Sequence, residues 1–235
     1  MVRSLSFSTS YTFSKALDAS DAYSQQIDAF VPAKSRNYGP AGFDRKHVYS
    51  ANFYWSLPKL GKSSARALRV AANGWELAGV FRLNSGGPFT PGYALLNGIN
   101  SPTGSASEGA RAQVLDPNAP LATRFGPPPE PLGQANVPWT VQSTTPQIGN
   151  LGKNTLIGQG TENVDLSLYR TLRFTEKIGG QLRVEGYNAL NHTQFAGVDT
   201  TLRFDPTGAM YNTLFNTPTS ARPARRIQLA LRINF

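Results

Sequence analysis

The stretch RRIQLALRINF, residues 225–235, decides the fold. Ile227, Leu229, Leu231, Ile233 and Phe235 fall on one face of an extended chain, and Arg226, Gln228, Ala230, Arg232 and Asn234 fall on the other. Successive side chains of a strand point to opposite faces, so one face is apolar and the other polar or cationic. Such a strand either covers a soluble core or stands between lipid and water. The rest of the chain separates these two cases.

Five more segments alternate in the same way. In RSLSFSTSYTF (3–13), Leu5, Phe7, Thr9, Tyr11 and Phe13 oppose Ser4, Ser6, Ser8, Ser10 and Thr12. A face of hydroxyl groups makes no dry core and wants water. VYSANFYWSL (48–57), GWELAGVFRLNS (74–85), NVDLSLYRTLRF (163–174) and QLRVEGYNAL (181–190) repeat the pattern. The alternation predicts strands near 3–13, 47–57, 75–85, 162–174, 181–190 and 225–235. Arg170 interrupts the apolar face of the fourth strand, near its end, where a long side chain can snorkel to an interface.

Composition agrees with an all-β chain. Of 235 residues, 40% are hydrophobic and 16% charged, with 22 Gly, 17 Pro and 11% aromatics, the profile of strands joined by long turns. No run approaches the ~18 apolar residues of a transmembrane helix, which excludes a helical membrane protein. Barrel strands of about 10 half-polar residues remain open to it. The stretch VRSLSFSTS after Met1 has no apolar h-region, so no signal peptide is expected there. Cysteine is absent, which excludes disulfides and thiolate metal sites. The net charge of +9 raises nucleic-acid binding. Its basic residues are scattered, however, and the one cluster, Lys59, Lys62, Arg66 and Arg69, sits in a single linker without interleaved aromatics. No nucleic-acid partner is expected.

The connections sort by length. Residues 14–46, 86–161 and 191–224 are long; 58–74 is shorter and 175–180 is tight. Soluble sandwiches have no reason to alternate this way, whereas outer-membrane barrels pair long extracellular loops with short periplasmic turns. Aromatic residues also divide. Tyr11, Phe13, Tyr49 and Tyr187 are expected at the outer interface, and Trp55, Trp75, Phe174 and Phe235 at the inner one, as two aromatic girdles. The sequence thus predicts an antiparallel up-and-down transmembrane β-barrel segment in contact with outer-membrane lipid. On the water side, Glu76, Arg82, Arg183, Glu185 and Arg232 are candidates to line the lumen, pairing across neighbouring strands.

Several phrases carry a family resemblance. YTFSKALD, FDRKHVYSANFYWSLP, NGWELAGVFRLNSGGPFTP, GNLGKNTLIGQGTENVDLSLYRTLRF, LRVEGYNALNHTQF and RRIQLALRINF, in this order, resemble the C-terminal barrel portion of TonB-dependent outer-membrane receptors, of the Oar-like type common in acidobacteria. The resemblance spans residues 1–235 and implies a place in the outer membrane of a Gram-negative bacterium, in a barrel of about 22 strands. It also implies that a plug and a TonB-binding box, neither visible here, couple the barrel to the TonB complex for a large or scarce extracellular substrate. Six strands are fewer than the roughly eight of the smallest barrels, so the chain reads as part of a larger wall. The ending resembles a signal read by the outer-membrane assembly machinery, with Gln228, Ala230, Leu231, Ile233 and Phe235 in the pattern and Ala where Gly is usual.

Other motifs have plainer readings. GKS at Gly61–Ser63 lacks the upstream glycine and the strand-to-helix context of a phosphate loop, and reads as a basic turn; GKN at 152–154 reads as a loop-to-strand junction. His47 and His192 lack partners at ligand spacing and read as rim residues that hydrogen-bond with Asp44, Arg45, Asn188 and Asn191. Asp18, Asp21 and Asp28 read as a solvated surface rather than a Ca²⁺ site. The 101–161 stretch, with its PPPEP run, reads as a long loop without elements of its own. Neither catalytic motifs nor cofactor signatures stand out, so an enzyme is not expected. Two further readings compete with transport: an outer-membrane adhesin or scaffold with binding loops, and a secreted soluble β-sandwich that binds carbohydrate.

Overall fold

A computed structural model describes residues 5–20, 37–59, 65–95, 111–127, 149–176, 178–205 and 207–235. Six long strands dominate: β1 (Leu5–Phe13), β2 (His47–Ser56), β3 (Trp75–Asn84), β4 (Thr161–Arg173), β5 (Gly179–Tyr187) and β6 (Arg226–Asn234). They form one sheet in chain order, each antiparallel to the next. Among the described residues β1 and β6 do not pair with each other, so the sheet is open at both edges. The fifth strand is shorter than its sequence pattern suggests. It ends at Tyr187 because Asn188 takes a left-handed conformation (φ 50) and turns the chain.

The pairing register joins the six alternations into two continuous faces. Leu5, Trp55, Leu77, Leu168, Val184 and Leu229 stand side by side in one row across all six strands. A neighbouring row on the opposite face reads Ser6, Tyr54, Ala78, Ser167, Glu185 and Gln228. A one-residue slip anywhere would mix the faces, so the hydrophobic pattern itself specifies the register. Gly79 belongs to the apolar face beneath the ring of its neighbour Phe53; a Cβ there would come within 2.4 Å of that ring. The apolar face stays uncovered, and Leu229 and Phe7 are 72% and 75% exposed.

Short connections and long ones lie at opposite ends of the sheet. At the short end, the Phe174 and Thr175 N–H groups donate to Ile178 O between β4 and β5, and the β2–β3 connection contains helix α1 (Arg66–Ala72) where the sequence reads as a plain basic linker. Residues 61–63 of that linker lie outside the described residues. Arg170, expected to reach an interface, meets the end of this helix there. It donates from Nη1 to Ala71 O (3.0 Å) and from Nη2 to Val70 O, and its guanidinium lies 5.7 Å from the Trp75 ring centroid.

The three long connections build a packed cap at the other end. The segment read as an element-free loop contains short strands: Pro88–Phe89 pairs Leu156–Ile157, and Gln113–Val114 pairs Phe125–Gly126. Gly92–Leu95 pairs in parallel with Thr201–Phe204 of the third long connection. Tyr93, Ala112, Phe125, Leu151, Leu202, Phe204 and Phe215 form the buried hydrophobic core, with the Phe125 and Phe215 rings edge to face at 6.2 Å. A sheet with one apolar and one polar surface leaves its burial to lipid and water, so the protein's own dry core is in the cap. The first connection docks there too: Arg111 Nη2 donates to Asn37 Oδ1 (3.0 Å), and Asn154 Nδ2 donates to Pro40 O (2.7 Å). Asp18 is therefore not a solvated surface acid; it is ion-paired with buried Lys153. Asp21, Asp28 and the PPPEP residues after Pro127 lie outside the described residues.

Candidate functional site: the polar wall and its mouth

The alternation that makes a strand two-faced also lines up its charges. Glu76, Arg82, Arg183, Glu185 and Arg232 all occupy polar-face positions. Their partners differ from the cross-strand pairing expected. Arg183 Nη1 meets Glu185 Oε1 at 3.4 Å along the same strand, because residues two apart in a strand share a face. Across to β4, Arg183 instead lies 5.9 Å from the Tyr169 ring centroid, and Tyr169 in turn tilts against Tyr54 at 6.3 Å. Glu76, Arg82 and Arg232 make no side-chain hydrogen bond or ion pair among the described residues.

Near the cap the polar wall opens into a cleft of about 860 Å³. Arg82, Asn163, Asp165, Tyr187, Arg222 and Arg226 line it, so three guanidiniums face one carboxylate. Asp165 Oδ1 is already engaged by the Asn188 backbone N–H (2.9 Å), and Asn163 Oδ1 accepts from Gln194 Nε2 (3.0 Å). These two bonds fix the strand β4 side of the mouth to the turn after β5. The cleft is not legible in the sequence, because Arg222 and Arg226 reach it only through the β5–β6 register and the returning third connection.

Aromatic side chains mark both ends of the apolar face. Tyr11, Phe13 and Tyr49 stand at the cap end, with Tyr49 edge to face with Phe81 at 6.0 Å. Trp55, Trp75 and Phe174 stand at the short-connection end, and Phe235 continues the apolar series of β6 there. Tyr187 is the exception. Its parity matches Arg183 and Glu185, so it belongs to the polar face, and its hydroxyl donates to Glu185 Oε2 (3.4 Å). It lines the mouth rather than a girdle. In the terminal strand Gln228 and Ala230 are on the polar face and Leu231 and Ile233 on the apolar one.

Both histidines are at the cap end of the sheet, with partners other than those expected. The His47 ring is hydrogen-bonded through Nδ1 to the Tyr11 hydroxyl (2.8 Å), while Asp44 accepts from the Ala16 N–H instead. Asn188 binds the backbone of His192, not its ring: Oδ1 accepts from the His192 N–H (3.0 Å) and Nδ2 donates to the His192 carbonyl (2.9 Å). Among the described residues no three His, Asp or Glu side chains gather at metal-binding distance.

Within the cap, Asp199 organises the third connection. It accepts from the Thr201 N–H (2.9 Å), Arg203 Nη1 (3.1 Å) and Asn212 Nδ2 (3.1 Å). The backbone N–H of Thr201, helped by Asn212 and Arg203, holds its carboxyl below the usual carboxylate range against the opposing effect of burial.

Comparison with known proteins places this architecture. Residues 1–228 match a family model described as an outer membrane beta barrel domain. Neither the curated proteins nor the solved structures contain a match to the chain. With an antiparallel sheet of one lipid-type and one polar face, and a family match over nearly its whole length, the chain belongs to the outer membrane beta barrel domain family and is a protein of the outer membrane.

Proposed function

We propose that the chain forms part of the wall of a TonB-dependent transport receptor of the Oar-like type. The ordered series of motifs from YTFSKALD to RRIQLALRINF supports the type. The observation that carries the reading is the polar wall leading into the arginine-lined cleft beneath the cap, a place where a captured solute meets the inner surface. In this reading Glu76, Arg82, Arg183, Glu185 and Arg232 line the passage, and the cap with its three joined connections makes the first contact with an extracellular substrate. The chain binds and passes a solute; no catalytic step is assigned to it. Coupling to the TonB complex falls to a plug and box elsewhere in the receptor. The terminal strand, through Gln228, Ala230, Leu231, Ile233 and Phe235, serves the assembly machinery, and pairing of the open β1 and β6 edges with further strands closes the wall.

Uptake or growth measurements in the native host test the transport role. Loss of a nutrient phenotype on deleting either this protein or TonB supports it. A phenotype that needs the protein but is indifferent to TonB removes it. That second outcome would favour a surface adhesin or scaffold, a reading to which the packed cap also lends itself. A secreted soluble carbohydrate-binding sandwich does not fit a member of an outer-membrane family.

A further inference from the structure

Helix α1 sits on the lipid-facing side of the sheet. Its last carbonyls are held by two residues of the apolar face: Arg170 donates to Ala71 O and Val70 O, and Trp75 Nε1 donates to Ala71 O at 2.9 Å. Trp75 and Arg170 are direct neighbours across β3 and β4, and the guanidinium lies against the indole ring. This explains a charge that otherwise contradicts the apolar alternation. Arg170 offsets the negative end of the helix and keeps its own charge beside carbonyls at the rim of the apolar band.

The helix presents an incomplete surface. Leu68 and Val70 are 55% and 62% exposed, and no residue of α1 is buried. At helical spacing Ala67, Leu68, Ala71 and Ala72 share one side, while Arg66, Arg69 and Val70 lie on the other. Lys59 precedes Arg66 by seven positions in the sequence, and no acidic residue occupies the first turn of the helix. Ala71, on the apolar side, accepts from Trp75, so that side meets the Trp75 end of the lipid-facing sheet.

We propose that α1 is an interfacial anchor that lies in the headgroup layer of the membrane and binds anionic phospholipid through Lys59 and Arg66. Short connections of outer-membrane barrels face the periplasm, so the partner is the phospholipid leaflet. The apolar side takes up acyl-chain boundary and the basic side meets phosphate, the arrangement of an in-plane amphipathic helix. This inference depends on membership of the outer-membrane family and not on transport.

The chain has no cysteine, so single cysteines introduced into it can be labelled one at a time. The test uses the intact protein reconstituted in phosphatidylcholine, with or without phosphatidylglycerol. An environment-sensitive fluorophore is placed at Leu68→Cys, with Leu229→Cys on the apolar sheet face and Leu115→Cys in the cap as references. The expected result is quenching of the Leu68 label by headgroup-region lipid quenchers, protection from aqueous iodide, and stronger protection with phosphatidylglycerol. Adding Lys59→Gln and Arg66→Gln should weaken the anionic-lipid preference roughly fivefold per cation removed. A Leu68 label as open to iodide as the Leu115 label, with the Leu229 label in lipid, overturns the proposal and leaves the barrel wall intact. A Leu229 label open to iodide would remove the membrane face itself, and the anchor with it.

Discussion

Lys153 and Asp18 are ion-paired across a sequence separation of 135 residues, and the lysine is almost wholly buried. The pair joins the first long connection to the second. Gly39, beside it, packs so closely on the Lys153 backbone that a Cβ would come within 2.6 Å of the lysine carbonyl oxygen. The cap is therefore one folded unit assembled from distant loops, not a set of independent ones.

Asp18→Ala should consequently loosen the cap without dissolving the sheet. Removing this carboxylate from the buried lysine costs up to about 3 kcal/mol, because Asp18 keeps part of its surface in water and Lys153 has further interactions. Limited proteolysis should nick the long connections faster, while the folded barrel keeps its heat-modifiable mobility on gels. Unchanged cap resistance would mean that the pair contributes nothing to docking.

Acid should weaken the same cap through Asp199. Its carboxyl titrates below its unfolded value, so its contribution is present above about pH 4 and is lost as pH falls through the folded pKa. Hydrogen exchange of residues 201–204, which carry core residues Leu202 and Phe204, should be equally protected from neutral pH to about 5 and then lose protection below about 4. Asp199→Asn should be less protected at neutral pH and lack that acid step. A wild-type step of equal size in the variant would assign the acid sensitivity to other groups.

Topology is open to a direct check. Protease outside intact cells should cut within residues 86–161 and spare 58–74, because the long connections and α1 lie at opposite ends of the sheet. Cleavage confined to 58–74 would invert the orientation.

The six strands were legible because each obeys a strict period of two, and that period sets both face and register. The cap was not. Tyr93, Phe125, Leu151, Leu202, Phe204 and Phe215 follow no common period and are brought together only by the pairing of distant short strands. Helix α1 leaves little trace in the sequence: it has seven residues and no side-chain N-cap, and part of what holds it is Arg170, 100 positions after Val70. Arg170 looked like a fault in a strand because its partner belongs to another element. Tyr187 has the position along its strand of a girdle residue, but its parity with Glu185 puts it on the polar wall. Face follows from parity; depth alone does not give it.

The sharpest test of the two faces compares Phe81→Arg with Ser8→Arg. Phe81 is in β3, flanked by Ala51 of β2 and Val164 of β4 on the apolar face. Arginine there should destabilise the folded barrel by about 2–4 kcal/mol, as a cation near the lipid midplane does. Ser8 is beside Asn52 on the polar face, where a guanidinium keeps its water, so the same change should cost much less. Gly79→Val gives a second reading of the apolar face, since any side chain there displaces the Phe53 ring and overpacks Leu166, at a cost of about 1–3 kcal/mol. Urea unfolding from lipid vesicles measures all three. A Ser8→Arg penalty as large as that of Phe81→Arg would show that both faces are dry, and the division of the sheet into a lipid side and a water side would fall.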